Sequence, residues 1–181
     1  LEVFEAIMNR RSVRAFLEKD ITDETIEKLI DAARHAPSAG NIQPWEFIIV
    51  RKTEQKRKLV EAALNQTFIE EAPVVIVVCA NQALSEMGYG SRGLNLYCIQ
   101  DTAAATQNLL LAAFSLGLGT CWVGAFHEKK VAETLNLPEK VRPVAIIPVG
   151  HPAEKPRTPK KRLLHQIIHY EKYGGKIRIE T

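Results

Sequence analysis

Apolar positions recur along this chain with two different periods. Ile26, Leu29, Ile30 and Ala33 stand at i, i+3, i+4 and i+7, so four apolar side chains share one helical face. Thr22 is placed to cap that helix, Asp23 and Glu24 suit the positive end of its dipole, and Pro37 marks its stop. Val3, Phe4, Ile7 and Met8 predict a short helix before it. Lys52 to Leu64 reads as an amphipathic helix with Leu59, Val60, Ala63 and Leu64 inward, ended by Asn65-Gln66. Thr102 to Leu116 is apolar nearly all round, which predicts a buried helix with Gly117 at its end. Lys129 to Leu135 completes the helical set. Strands are expected at Glu46–Val50, Val74–Ala80 and Pro143–Val149. The second is continuously apolar and β-branched, as a strand covered on both faces would be. Gly119 to Ala125 reads as a strand breaking into a loop. Asn81 to Gly93 holds three glycines and no period, so a loop long enough to be a lid is expected there.

From Pro152 the pattern changes. Pro152, Pro156 and Pro159 alternate with Lys155, Arg157, Lys160, Lys161 and Arg162, which predicts an extended basic arm. Beyond it, Lys176-Ile177-Arg178-Ile179 alternates as a strand does. Helices and strands are interspersed irregularly, without internal repeats. An α+β fold with one central sheet between helices accounts for this. Its last twenty residues find few local partners in that scheme, and a second subunit would supply them.

Composition narrows the possibilities. With 181 residues, one domain is the default, spanning 1–181 with an arm from about 152. A hydrophobic share of 46% against 25% charged leaves enough apolar chain for a real core. The net charge of +3 is too mild to indicate a nucleic-acid binder. No apolar run is long enough to span a bilayer and no signal peptide opens the chain, so a cytoplasmic protein is expected, with a few leading residues before Leu1. Cys79, Cys98 and Cys121 have apolar neighbours and no metal or redox spacing, so they read as core residues in a reducing compartment. His165 and His169 have helical i, i+4 spacing but lack the glutamate of a zincin motif, and no metal site is expected.

The candidate chemistry begins at Arg10-Arg11-Ser12-Val13-Arg14-Ala15-Phe16, three cations and a hydroxyl in five residues. If residues 12 to 16 are extended, Ser12 and Arg14 share a face that suits a phosphate and a second acceptor. A second stretch, Pro37-Ser38-Ala39-Gly40-Asn41-Ile42-Gln43-Pro44-Trp45, has the composition of a loop. A third is Thr158-Pro159-Lys160-Lys161-Arg162-Leu163.

In this order and spacing the three stretches resemble the FMN-dependent nitroreductase family, in its short form. Asn65, the Val74–Cys79 strand and Leu118-Gly119-Thr120-Cys121-Trp122-Val123-Gly124 extend the likeness over nearly the whole chain. The resemblance implies an α+β fold with a mostly antiparallel sheet, an intertwined homodimer and FMN at the subunit interface. It implies cofactor-binding roles for Arg10, Arg11, Ser12 and Arg14, with Arg10, Ser12, Lys160 and Arg162 on phosphate or ribityl oxygens and Arg14 nearer the pyrimidine. Pro37, Ser38, Ala39 and Asn41 would come from the other subunit. Asn65 would bond the pyrimidine edge, and the backbone at Val123, Gly124 and Ala125 would offer an N–H to flavin N5. Larger members often carry an acidic residue where this chain has Gly124, whereas shorter relatives carry Gly.

The activity so implied is transfer of hydride from NADH or NADPH through FMN to a nitroaromatic, a quinone or free flavin, with ping-pong kinetics and no essential catalytic side chain. A reductive dehalogenase or dehydrogenase on the same scaffold is one alternative, and a non-catalytic flavin-binding protein another. No separate dinucleotide fingerprint is present, because Gly88-Tyr89-Gly90 lacks the third glycine and the following helix.

Overall fold

The computed structural model describes residues 2–176. The alternating segment ending at Ile179 therefore lies largely outside the described residues. The helices are α1 (Val3–Asn9), α2 (Asp23–Arg34), α3 (Thr53–Ala62), α4 (Phe68–Glu71), α5 (Gln82–Arg92), α6 (Cys98–Ser115) and α7 (Glu128–Leu135). The strands are β1 (Trp45–Val50), β2 (Val74–Asn81), β3 (Gly119–Thr120) and β4 (Val141–Gly150). They form one antiparallel sheet in the order β1-β2-β4-β3, with Val50 opposite Val75 and Val74 opposite Val149.

The continuous apolar run of β2 has the expected cause. Val74, Ile76 and Val78 pack toward α2 and α6, while Val75, Val77 and Cys79 pack toward α3 and α7. Strand residues that alternate between two covered faces must all be apolar. Leu29 and Ala33 of α2 meet Leu109 and Ala113 of α6 on the first face, and Leu59 meets Ile69 and Val131 on the second. The Thr22 hydroxyl caps α2 by accepting the Thr25 N–H at 3.3 Å, and Gly117, at φ 73°, follows α6 in the left-handed conformation. α4 is held by a buried lysine. Lys56 of α3 donates to the Glu70 carbonyl at 2.9 Å and the Ala72 carbonyl at 2.7 Å. Burial lowers its ammonium from the ordinary value, with Glu70 opposing.

One expectation is corrected. Asn81–Gly93 is not a loop: α5 fills it and continues through a π-helical turn, Gly93–Tyr97, into α6. The helix is interrupted only at Tyr89 and at Gly90, where φ is 53°. The other two glycines serve packing. A Cβ on Gly88 would strike the Ile42 side chain, and one on Gly93 would strike the Ser85 carbonyl. His165 and His169, although spaced i, i+4, do not lie on a common helix. The only helical turn there is a 3-10 turn, Leu164–Gln166. The described remainder of the arm is irregular and mostly exposed, and its prolines disfavour a regular helix.

Candidate cofactor site

α1 ends at Asn9, and Arg10 leaves it with ψ 133° while its N–H still donates to Ala6 at 2.9 Å. The chain then runs extended between two neighbours. The Val13 N–H donates to Thr120 at 2.9 Å, so the segment lies along β3. On the other edge, Leu17 donates to His151 and Ala153 donates to Ala15, both at 2.9 Å, so it also lies along the start of the arm. Val13 is buried against Gly119, where a Cβ would come within 2.9 Å of it. Alternation therefore turns Ser12 and Arg14 to the opposite side.

On that side is a cavity of about 540 Å³ lined by Arg10, Arg11, Ser12 and Arg14 together with Arg157, Lys161 and Glu154 of the arm. Five cations and one carboxylate form a wall suited to a polyanionic group. Partial burial lowers the Arg10 guanidinium from its ordinary value, and the neighbouring Arg11 charge adds to the effect. Two crowded cations of this kind are relieved by an anion. Arg11 is differently engaged. It donates to the Met8 carbonyl at 2.7 Å, to the Arg10 carbonyl at 2.8 Å and to the Thr158 hydroxyl at 3.2 Å, and its buried Nε has no partner among the described residues.

Beyond β3 the chain passes Cys121 and Val123, which exchanges two backbone hydrogen bonds of 3.0 Å with Ile146. Cys121 lies beside Ser12. Burial pushes its thiol up, against the opposing influence of Arg14, Ser12 and Arg10. Burial likewise pushes Cys79 up to about 12, so neither thiol is predisposed to ionise at neutral pH. Gly124 and Ala125 then emerge at the surface. A Cβ on Gly124 would meet only the Trp122 ring, at 3.8 Å, so internal packing does not demand a glycine there. Room above an exposed backbone is what a flat ligand would use.

Asn65 belongs to the same region. Leu64 and Asn65 take left-handed conformations (φ 57° and 60°), and the Asn65 N–H donates to Val60 at 2.9 Å. The adjacent Gln66 side chain donates to the Ala63 carbonyl at 2.9 Å and the Ala125 carbonyl at 3.1 Å. The His127 N–H closes the link to Ala62 at 2.8 Å. The Arg14 guanidinium lies 5.8 Å from the centre of the Phe68 ring on α4. The structure thus gathers Arg10–Arg14, Val123–Ala125 and Asn65 through direct neighbours.

It does not bring Pro37, Ser38, Ala39 and Asn41 to them within one subunit. The Ala39 N–H donates to Asp101 at 3.1 Å, in the first turn of α6, whereas Arg10–Arg14 lies past the last turn of that helix. At 1.5 Å per residue the two ends are about 20 Å apart. Burial raises the Asp101 carboxyl against the lowering effect of the Ala39 N–H, and its other oxygen is buried without a partner among the described residues. The loop is locally determined: Ser38 accepts the Gln43 N–H at 3.0 Å, and Gly40, Asn41 and Gln43 are all left-handed.

Lys160 and Arg162 are exposed and do not line the cavity. Arg162 donates to the Gln166 carbonyl at 2.9 Å. Arg157 and Lys161 line it instead, and Glu154 joins them. Proline-spaced cations were visible in sequence, but the register that turns one lysine inward and its neighbour outward was not.

The fold and cavity define an α+β protein with a cation-lined cavity and an exposed backbone segment at Gly124 and Ala125. A profile of the nitroreductase family matches residues 7–68 and 61–151. A Methanothermobacter thermautotrophicus protein, assigned by inference as NADH dehydrogenase or NAD(P)H nitroreductase, is 38% identical over 162 residues, covering 87% of this chain and 81% of the relative. The FMN reductase (NADPH) of Bacillus subtilis is 34% identical over 179 residues, covering 90% of this chain and 72% of that one. Among solved structures, the NADPH:FMN oxidoreductase of Vibrio harveyi complexed with NAD+ superposes with a TM-score of 0.88 at 28% identity, covering 97% of this chain and 79% of that one. The chain belongs to the nitroreductase family.

Proposed function

We propose that this protein is an NAD(P)H-dependent oxidoreductase that holds FMN with its phosphate in the Arg10–Lys161 cavity and reduces a nitroaromatic, a quinone or free flavin. The observation that carries the reading is the convergence of five cations on one cavity beside an open backbone shelf. The residues present fit the cofactor. A phosphomonoester has close to two charges and several acceptors, which match Arg10, Ser12, Arg157 and Lys161. The crowded, partly desolvated Arg10 is a donor awaiting such an acceptor.

When bound, FMN supplies the hydride chemistry. The protein positions it and sets its electrostatics. Arg14 is exposed next to the cavity and stacked over Phe68, so its fixed charge stabilises negative charge on the pyrimidine side. Asn65 offers an amide to the same edge, and the backbone at Val123, Gly124 and Ala125 offers N–H donors to the ring. Pro37, Ser38, Ala39 and Asn41, being remote within one subunit, serve the site of a second copy in a homodimer, and Lys160 and Arg162 extend the cationic surface of the arm. Donor and acceptor use one face in turn, which gives ping-pong kinetics.

The test is direct. Purified protein loaded with FMN is mixed with NADH or NADPH in the absence of oxygen and followed at the flavin absorbance. Bleaching, followed by recovery on adding a quinone or nitroaromatic, is expected. FMN bound without bleaching by either nucleotide would favour a flavin carrier and sink the enzymatic reading.

A further inference from the structure

Two side-chain bonds join parts of the chain that lie far apart in sequence, and both end on the arm. Arg11 reaches the Thr158 hydroxyl at 3.2 Å, and Glu154 accepts the backbone N–H of Arg14 at 2.6 Å. Between these two points stands Arg157, and just beyond them Lys161, the arm's two cations in the anion cavity. The backbone pairing of arm and Arg10–Phe16 stretch ends at Ala153, bonded to Ala15. Past that residue, among the described residues, these are the two hydrogen bonds that tie the arm to the Arg10–Phe16 stretch beside the cavity.

Arg11 is engaged by the protein at both terminal nitrogens, which serve two carbonyls and a hydroxyl, and its buried Nε is the nitrogen left without a partner among the described residues. Glu154 poses the complementary puzzle, since a carboxylate in a phosphate cavity repels the ligand. Its short, charge-assisted bond to a backbone N–H gives it another purpose.

We propose that Arg11, Glu154 and Thr158 form a clamp that seats the arm over the cavity, so that they govern retention of a phosphorylated ligand as positioning residues without touching the phosphate. The clamp rests on the FMN reading for its ligand but not for its existence. Arg11 fixes the arm near Thr158 and Glu154 fixes it at the Arg14 N–H. With both ends held, Arg157 and Lys161 lose less conformational freedom when the anion arrives, which is preorganisation. Glu154 opposes the anion electrostatically, yet removing its side chain frees the arm, and the second effect dominates.

Two readouts separate the clamp from the cofactor assignment. The first needs no ligand. Trypsin can cut the arm after Arg157, Lys160, Lys161 and Arg162, and cutting follows local opening. In the full chain, Glu154→Ala and Thr158→Val are expected to be cut there severalfold faster than the natural protein. Glu154→Gln keeps an acceptor for the Arg14 N–H and is expected to be cut at the natural rate. The second readout is titration with FMN and with riboflavin. Glu154→Ala and Thr158→Val each weaken FMN about three- to tenfold and leave riboflavin unchanged, and Arg11→Gln combined with Thr158→Val is no worse than Arg11→Gln alone. Equal cutting of all variants overturns the clamp even if FMN binds. So does tighter FMN binding by both Glu154 variants, or a neutral Thr158→Val beside a damaging Arg11→Gln, which would make Arg11 a phosphate ligand. Faster cutting in a protein that binds no FMN upholds the clamp and removes the cofactor reading.

Discussion

At the scale of single residues, the account distinguishes cations by what they already bond. Arg10 is crowded by Arg11, partly desolvated and turned into the cavity. Arg162 donates to the Gln166 carbonyl at the surface. Arg10→Ala should therefore weaken FMN by about 1.5–3 kcal/mol, the range for a hydrogen bond to a charged group, and Arg162→Ala by much less. Fluorescence titration checks the order, and a larger loss at Arg162 would mean that the arm moves on binding. The thiols allow a second prediction. Burial keeps Cys121 and Cys79 protonated at neutral pH, so Cys121→Ala should reduce with NAD(P)H within about threefold of the natural rate once loaded with FMN. A hundredfold loss in stopped-flow bleaching with flavin retained would assign Cys121 a chemical role. The basic stretch was legible in sequence because its residue types announce it, whereas Asn65 entered only through the family resemblance. The inward turn of Lys161 and the engagement of Arg11 were not, because each depends on a one-residue register or on a partner some 147 positions away.

At the scale of elements, periodicity located every strand among the described residues and the helices with strong patterns, and it failed where glycine had a different purpose. Gly88 and Gly93 read as helix breakers, yet each is a helical residue made small by a neighbour, Ile42 in one case and the Ser85 carbonyl in the other. Of the three glycines only Gly90 breaks the helix, together with Tyr89 before it. α4 was missed because four residues are too few for a period, and its anchor is a side chain from another helix. Lys56→Met keeps the volume but leaves two carbonyls without their donor. The expected destabilisation is about 2–3 kcal/mol, or a fall in Tm of roughly 5–10 °C for a chain of this size. The pH dependence has a definite sign. The folded-state pKa of Lys56 lies below the unfolded one, so the penalty for holding the ammonium is full below the folded value and lifts as pH rises through it. The advantage of the natural protein over Lys56→Met should therefore widen toward alkaline pH. An equal gap in thermal melts would show that the fold does not lower the Lys56 pKa, and a narrowing gap that it raises it.

At the scale of the whole molecule, the distribution of apolar surface bears on assembly. Phe4, Ile7 and Met8 of α1 and Leu163, Leu164, Ile167 and Ile168 of the arm are exposed. The Pro37–Asn41 loop stands about 20 Å from the cations whose site in a second copy it is proposed to complete. A second copy resolves both observations, and removal of residues 163–181 should cost the dimer and the flavin together. A flavin-loaded monomer in sedimentation would contradict this. The sheet and its two covered faces could be read from pattern alone, since burial on both sides demands uninterrupted apolar strands. A site shared between copies, as proposed, would leave no periodic trace, so its two halves would be visible in sequence only as separate motifs. The central claim, that the Arg10–Lys161 cavity is a phosphate site for FMN, is tested most directly by comparing the dissociation constants of FMN and riboflavin for the natural protein. The two ligands differ only in the phosphate. FMN should bind at least about a hundredfold more tightly, the equivalent of two charge-assisted contacts, with the difference shrinking as salt rises. Equal affinities would contradict the account.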